Sequence, residues 1–173
     1  MDNISLIPYK GIVPKIHESV FLASGVKIIG DVEIAEDSSV WFNSVIRGDV
    51  NRITIGKMTN IQDLSVLHVT AKHPLILGDK ITIGHAVKLH GCTIGDLCLI
   101  GIGAVVLDGA VIQKGSVIAA GAVVTPGFIV PSGKLVAGVP GKIVRDLSLQ
   151  EIEELERSAV RYKEYANLSR IEA

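Results

Sequence analysis

Aromatic side chains are scarce in this chain: one Trp, three Tyr and three Phe make up 4% of 173 residues. Its core must therefore be aliphatic, and the 48% hydrophobic content together with a mean hydropathy of +0.45 supplies the material. Long apolar runs are missing too. No stretch reaches the roughly 18 residues that suggest a membrane span, so no membrane association is expected. Excess positive charge is absent, with 17 Lys and Arg against 18 Asp and Glu, which argues against a nucleic-acid binder. The opening Met1-Asp2-Asn3-Ile4-Ser5 has no charged segment followed by an apolar one. No secretory signal is expected, and a cytoplasmic location is the default. Of the two cysteines, Cys92 and Cys98, both fall two residues before a core position, so packing is a better reading than a disulfide.

What the chain has instead is a six-residue ladder of aliphatic residues. It runs Ile28, Ile34, Val40, Ile46, then Ile55, Ile61, Leu67, then Leu77, Ile83, Leu89. After a one-residue deletion it continues through Ile94, Ile100, Val106, Ile112, Ile118, Val124, Val130 and Val136. A period of six fits neither an α-helix nor an amphipathic strand, but it is the signal of a parallel β-helix. Three hexapeptides, about eighteen residues, make one turn of a triangular prism. The fourth residue after a rung is small (Cys98, Ala104, Ala110, Ser116, Ala122), as a tight corner requires. Glycine directly follows several rungs (Gly56, Gly78, Gly84, Gly95, Gly101), where a sharp turn is expected. The fold class is all-β, a left-handed parallel β-helix, with one α-helix packed against it.

The ladder ends near Pro140. Ser148-Leu-Gln-Glu151 is a capping box that starts a helix. Leu149, Ile152, Leu155, Ala159, Tyr162 and Ala166 then recur at helical spacing, forming a stripe that should lie along the prism. The first twenty or so residues, with Pro8 and Pro14, read as an irregular lead-in capping the open coil. The reading is one domain over residues 1–173, with the β-helix over about 12–140 and the helix over 148–168.

The phase of the ladder sorts the five histidines. His68 follows rung Leu67 and His90 follows rung Leu89, and three ladder steps separate them, so both share one side of the prism on successive coils. Arg47 occupies the same slot one coil earlier. Asp63 and His85, each five residues before a histidine of that column, should stack on each other along a neighbouring side. His85 is then poorly placed to join His68 and His90 within its own chain. A threefold trimer would bring one chain's Asp-His column to the next chain's His-His column. Three imidazoles with an open fourth position are the ligand set of a catalytic Zn²⁺. His17 and His73 lie off the repeating slots and read as surface residues, and Asp108 reads as a loop residue. Arg47 and Asp49 fit either an interface ion pair or a direct catalytic role. Asn60, Gln62 and Asp63 fit either a site or turn residues satisfying local backbone groups.

With these residues in place, the chain resembles the γ-class carbonic anhydrases, in the short cytosolic branch of the hexapeptide-repeat superfamily. The matching stretches are Gly30-Asp-Val, Ser39-Val-Trp-Phe-Asn43, Val45-Ile-Arg-Gly-Asp49, Ile55-Gly56, Asn60-Ile-Gln-Asp63, Val66-Leu-His68, Ile83-Gly-His85 through His90, Gly138-Val-Pro140 and Val144-Arg145. The resemblance implies a homotrimer holding one metal per interface, Zn²⁺ with Fe²⁺ or Co²⁺ as alternatives, on His68 and His90 of one chain and His85 of the next. It implies reversible hydration of CO2 to bicarbonate by a metal-bound hydroxide. Gln62 and Asn60 would contact the bound solvent or bicarbonate, Asp63 would orient it, and Arg47 with Asp49 would tie subunits together beside the site. Tyr162 matches a tyrosine that reaches the pocket in relatives, although its place on the helix stripe fits a core residue equally well. One departure stands out. Thr70-Ala-Lys-His-Pro74 has no carboxylate where the family's best-studied type carries a glutamate proton shuttle. His73 is the side chain there that would take its place.

Three other functions fit a hexapeptide prism: an acyltransferase using one histidine as general base, an acyl-CoA thioesterase, and a catalytically weak metal-binding scaffold. The acyltransferase would not need three histidines in ligand phase.

Overall fold

A computed structural model describes residues 4–171, apart from the side chain of residue 171; the opening Met1-Asp2-Asn3 lies outside the described residues. Short parallel strands stack coil on coil into a β-helix of about seven turns. The first face runs through Val66–His68, Lys88–His90, Val105–Val106 and Val123–Val124. A second runs through Leu75–Leu77, Thr93–Ile94, Val111–Ile112 and Ile129–Val130, and the third through Asn60–Ile61, Thr82–Ile83, Leu99–Ile100 and Val117–Ile118. Two longer strands, Lys27–Ile34 and Val45–Ile55, turn a corner unbroken and join the first two faces into one sheet.

All eighteen ladder residues point inward, none of them more than 3% exposed. Each buried aliphatic side chain contributes roughly 1.5–3 kcal/mol, so the ladder is the main source of cohesion. The small residues predicted for the corners are equally buried. Burial pushes the Cys92 thiol up to about 12 and the Cys98 thiol to about 11, as inert packing residues require.

The glycines that follow rungs are needed for a different reason than a sharp turn. Gly101 does not have a positive φ; instead, a Cβ placed there would lie 2.5 Å from the backbone nitrogen of Ala120 on the next coil. Close stacking of coils excludes a side chain. The left-handed corner residue comes two positions later, at Gly103, Gly109, Gly115 and Gly121, each with φ +68°.

The N-terminal segment is more regular than an irregular lead-in. Ser5–Ile7 pairs in parallel with Lys27–Ile29, Lys15–Ile16 with Glu33–Ile34, and Phe21–Leu22 with Ser39–Val40. One strand on each face makes a full first coil, begun well before residue 12. At the other end, Lys142–Asp146 pairs antiparallel with Lys134–Ala137 and reverses the chain.

Helix α1 (Leu149–Ile171) then runs back along the third face. Its capping box forms as predicted: the Glu151 N–H donates to Ser148 Oγ at 3.2 Å, and the Ser148 N–H donates to Glu151 Oε2 at 2.8 Å. Leu155, Ser158, Ala159 and Ala166 are buried against the prism, the i, i+3, i+4, i+11 pattern of one helix face. Leu149, assigned to that stripe from its spacing, is 81% exposed, because the first turn overhangs the prism.

Candidate metal centre

The strand register puts Arg47 opposite His68 and His68 opposite His90 on consecutive coils of the first face. Parallel in-register pairing stacks like positions about 4.8 Å apart, so the two imidazoles are forced into contact. His68 Nδ1 lies 3.0 Å from His90 Nε2, with ring centroids 5.0 Å apart. Both sit at the edge where the first face ends.

Asp63 and His85 occupy the opposite edge, at the corner where the third face turns into the first, rather than along a neighbouring side. They do stack: His85 Nδ1 is 2.6 Å from Asp63 Oδ2. That bond leaves His85 Nε2 as the nitrogen not engaged by the carboxylate. His85 is also the most exposed of the three histidines, its side chain 46% accessible. Among the described residues, no group of three or more His, Cys, Asp or Glu side chains of one chain is arranged to hold a metal ion.

Carboxylates stand at the outer nitrogens of the histidine pair. Asp49 Oδ1 is 3.0 Å from His68 Nε2, and Asp108 Oδ1 is 2.5 Å from His90 Nδ1. Asp49 also pairs with Arg47 of its own chain. Burial works against ionising Asp49, but the His68 hydrogen bond and the Arg47 charge outweigh it and hold its carboxyl below the usual range. Asp108 is a turn residue, as its position suggested, yet it belongs to this cluster. The signal was weak: the one-residue deletion sets Leu89 against Val106, which puts Asp108 level with Gly91, one position past His90.

Asn60 and Gln62 are buried on the third face, leading into the Asp63 corner. Gln62 Nε2 donates to Asn60 Oδ1 at 3.2 Å, and Asn60 Nδ2 donates to Thr82 Oγ1 at 3.0 Å. Thr82 Oγ1 in turn meets Ser158 Oγ at 3.0 Å, so this string of amides and hydroxyls ties helix α1 to the prism.

Tyr162 is half-buried with its ring edge-on to Trp41, 5.8 Å between centroids. Burial first, and the Asp63 charge second, push its phenol up. Trp41, Phe42, Tyr162 and Tyr165 line a cleft of about 500 Å³ beside Asp63 and His85. With Phe21 behind Trp41 at 5.2 Å, five of the chain's seven aromatic residues gather at one corner. The contact of Trp41 with a helix some 120 residues away carries no signature in the ladder. His17 is exposed and pairs locally with Ser19. His73 is half-buried, its ring lying over Gly109 next to Asp108.

The geometry can be set beside known proteins. The family model described as bacterial transferase hexapeptide (six repeats) matches residues 14–48 and 91–126. A Methanocaldococcus jannaschii protein named "Probable carbonic anhydrase" is 54% identical over 147 residues, covering 85% of this chain and 92% of that one. A Geobacillus kaustophilus protein named carbonic anhydrase is 50% identical over 159 residues, covering 92% and 87%. Among solved structures, a hexapeptide transferase family protein from Anaplasma phagocytophilum superposes with a TM-score of 0.91 at 42% identity, covering 94% of this chain and 96% of that one. With such identity over most of both chains, this protein belongs to the γ-class carbonic anhydrase-like family of hexapeptide-repeat proteins.

Proposed function

We propose that the protein hydrates CO2 reversibly to bicarbonate at a metal centre closed between the subunits of a homotrimer. The observation that carries this reading is the His68 Nδ1–His90 Nε2 approach of 3.0 Å. Two imidazoles bound to one tetrahedral ion through bonds of about 2.0–2.1 Å have nitrogens roughly 3.3 Å apart, so the pair is nearly set for chelation. Neutral imidazole suits Zn²⁺, and Fe²⁺ or Co²⁺ as well. His85 of the next chain supplies the third donor. Its Nδ1 is held by Asp63, and within its own chain it stands at the far edge of the face from the histidine pair. When bound, the ion lowers the pKa of water from 15.7 to roughly 7, making hydroxide available at neutral pH.

The chain's own residues then orient and exclude. Asp63 fixes the His85 ring, and Arg47 neutralises the Asp49 carboxylate behind His68. The walls formed by Trp41, Phe42 and Tyr162 suit a small substrate without charge. Gln62, its amide anchored to Asn60, directly precedes Asp63 on the third face and is the residue we assign to the bound solvent. In the Thr70–Pro74 turn, His73 is the side chain we assign to carry the proton outward.

Metal analysis of mixed variants tests the reading. His85→Ala should abolish metal content as fully as His90→Ala. Mixing His68→Ala with His85→Ala chains should restore part of it, because one interface of a mixed trimer keeps all three donors. Unchanged metal stoichiometry in His85→Ala, or no recovery on mixing, would remove the shared site. An acyltransferase is the second reading, favoured by the word transferase in the name of the Anaplasma relative. Retention of acetyl-CoA by metal-free protein would select it.

A further inference from the structure

We infer that Asp108 is a positioning residue for His90 and works with Asp49 to make the gap between the two histidines a site that demands a cation. This rests on reading His68 and His90 as metal ligands. Asp49, His68, His90 and Asp108 form an unbroken row, with contacts of 3.0, 3.0 and 2.5 Å. An ionised carboxylate can only accept hydrogen bonds. Each end of the row therefore draws a hydrogen onto the outer ring nitrogen, His68 Nε2 on one side and His90 Nδ1 on the other. A neutral imidazole then has its lone pair on the other nitrogen. Those nitrogens are the two that face each other across 3.0 Å. Without the carboxylates, one imidazole could donate to the other. With them, two lone pairs meet, and only a positive charge between them relieves the repulsion.

The coil geometry shows why Asp108 can play this part. The Gly109 N–H donates to Gly91 O at 2.7 Å, which seats the Asp108 turn against Gly91, one residue past His90. A Cβ on Gly91 would come within 3.2 Å of Asp108 Oδ1 and 2.9 Å of His73 Cβ, so a side chain there would crowd the carboxylate. Asp63 does the same for His85 at the opposite edge. All three imidazoles are thus oriented by a carboxylate, which fixes tautomer and ring direction in the manner of histidine ligands generally.

The test uses full-length protein stripped of metal, as wild type, Asp108→Ala and Asp108→Asn. In wild type, ¹⁵N-resolved imidazole spectra should show a slowly exchanging N–H at His90 Nδ1. That signal should vanish in Asp108→Ala and return in Asp108→Asn, whose amide oxygen still accepts. Chelator competition should show Zn²⁺ affinity falling about 10- to 100-fold in Asp108→Ala. Asp108→Asn should stay close to wild type, and the melting temperatures of the metal-free proteins should match. A His90 Nδ1 signal that is absent in wild type or survives in Asp108→Ala overturns the proposal, as does equal Zn²⁺ affinity in all three. If the signal behaves as expected but wild type binds no Zn²⁺, the metal reading fails while Asp108 stands as the partner that orients His90.

Discussion

The coils before residue 91 and those after it are built on the same cross-section but under different rules. From Ile94 to Val136 every rung comes six residues after the last, and after Leu97 (φ 57°) the left-handed corners at 103, 109, 115, 121, 127 and 133 are all glycine. Before that, one corresponding corner is Gly25, and the others are Asp37, Asn43, Met58, Leu64, Lys80 and Ala86, with φ between 50° and 61°. Two insertions, at 49–52 and 71–74, interrupt the ladder only there. The three histidines and the Arg47, Asp49 and Asp63 side chains also lie in that half. Left-handed backbone costs a residue with a Cβ roughly 1–2 kcal/mol. Past Leu97 the regular half meets each geometric demand locally, whereas the irregular half tolerates strain where it carries chemistry. Asp108 is the one residue of the cluster that the regular half contributes.

Three changes would break or sharpen this contrast. Deleting a rung of the regular half should be the most damaging. Ile118→Ala empties a fully buried position and should cost about 2–5 kcal/mol in denaturant unfolding without changing metal stoichiometry. Loss of metal along with stability would mean that the two halves are not separable. Corner exchanges should matter less. Gly115→Ala meets open space but keeps φ +68°, so it should cost about 1–2 kcal/mol. Leu64→Gly, at φ 61°, should leave stability unchanged or raise it by up to about 1 kcal/mol, strain relief offsetting the added freedom of the unfolded chain. Equal losses in both variants would show that strain does not distinguish the halves.

The smallest effect lies at the helix start. The Arg145 hydrogen bond, then the Ser148 N–H, hold the Glu151 carboxyl down at about 2 against an ordinary 4.5. A depressed folded-state value means that the contribution is complete above pH 4.5 and disappears as pH falls toward 2. Glu151→Gln should remove that part of the acid dependence of unfolding. An identical acid limb in wild type and variant would assign the dependence to other carboxylates.

Much of the site was legible because stacking in a β-helix is arithmetic. Once Leu67 and Leu89 are rungs three steps apart, His68 and His90 must neighbour each other, and their observed register is the one predicted. Asp63 against His85 follows in the same way, although the pair occupies a corner rather than a side. Asp108 escapes that rule, since the register sets it level with Gly91 rather than His90, and a turn position does not advertise where its side chain points. The N-terminal coil was missed for a related reason. Pro8 and Pro14 interrupt the period, yet Ser5–Ile7 and Lys15–Ile16 still find parallel partners on either side of them.

By itself, the sequence determined the core, the three rungs of each coil and which residues stack, because inward positions must be apolar and a triangular turn takes three of them. Only the tertiary structure decided where the scarce aromatics meet. Trp41 and Tyr162 touch because helix α1 lies back along the third face, and neither the ladder nor the helical stripe encodes that docking. It also decided the hydrogen-bonded row from Asp49 to Asp108, since periodicity sets the height of each coil but not the direction of a side chain at its corner.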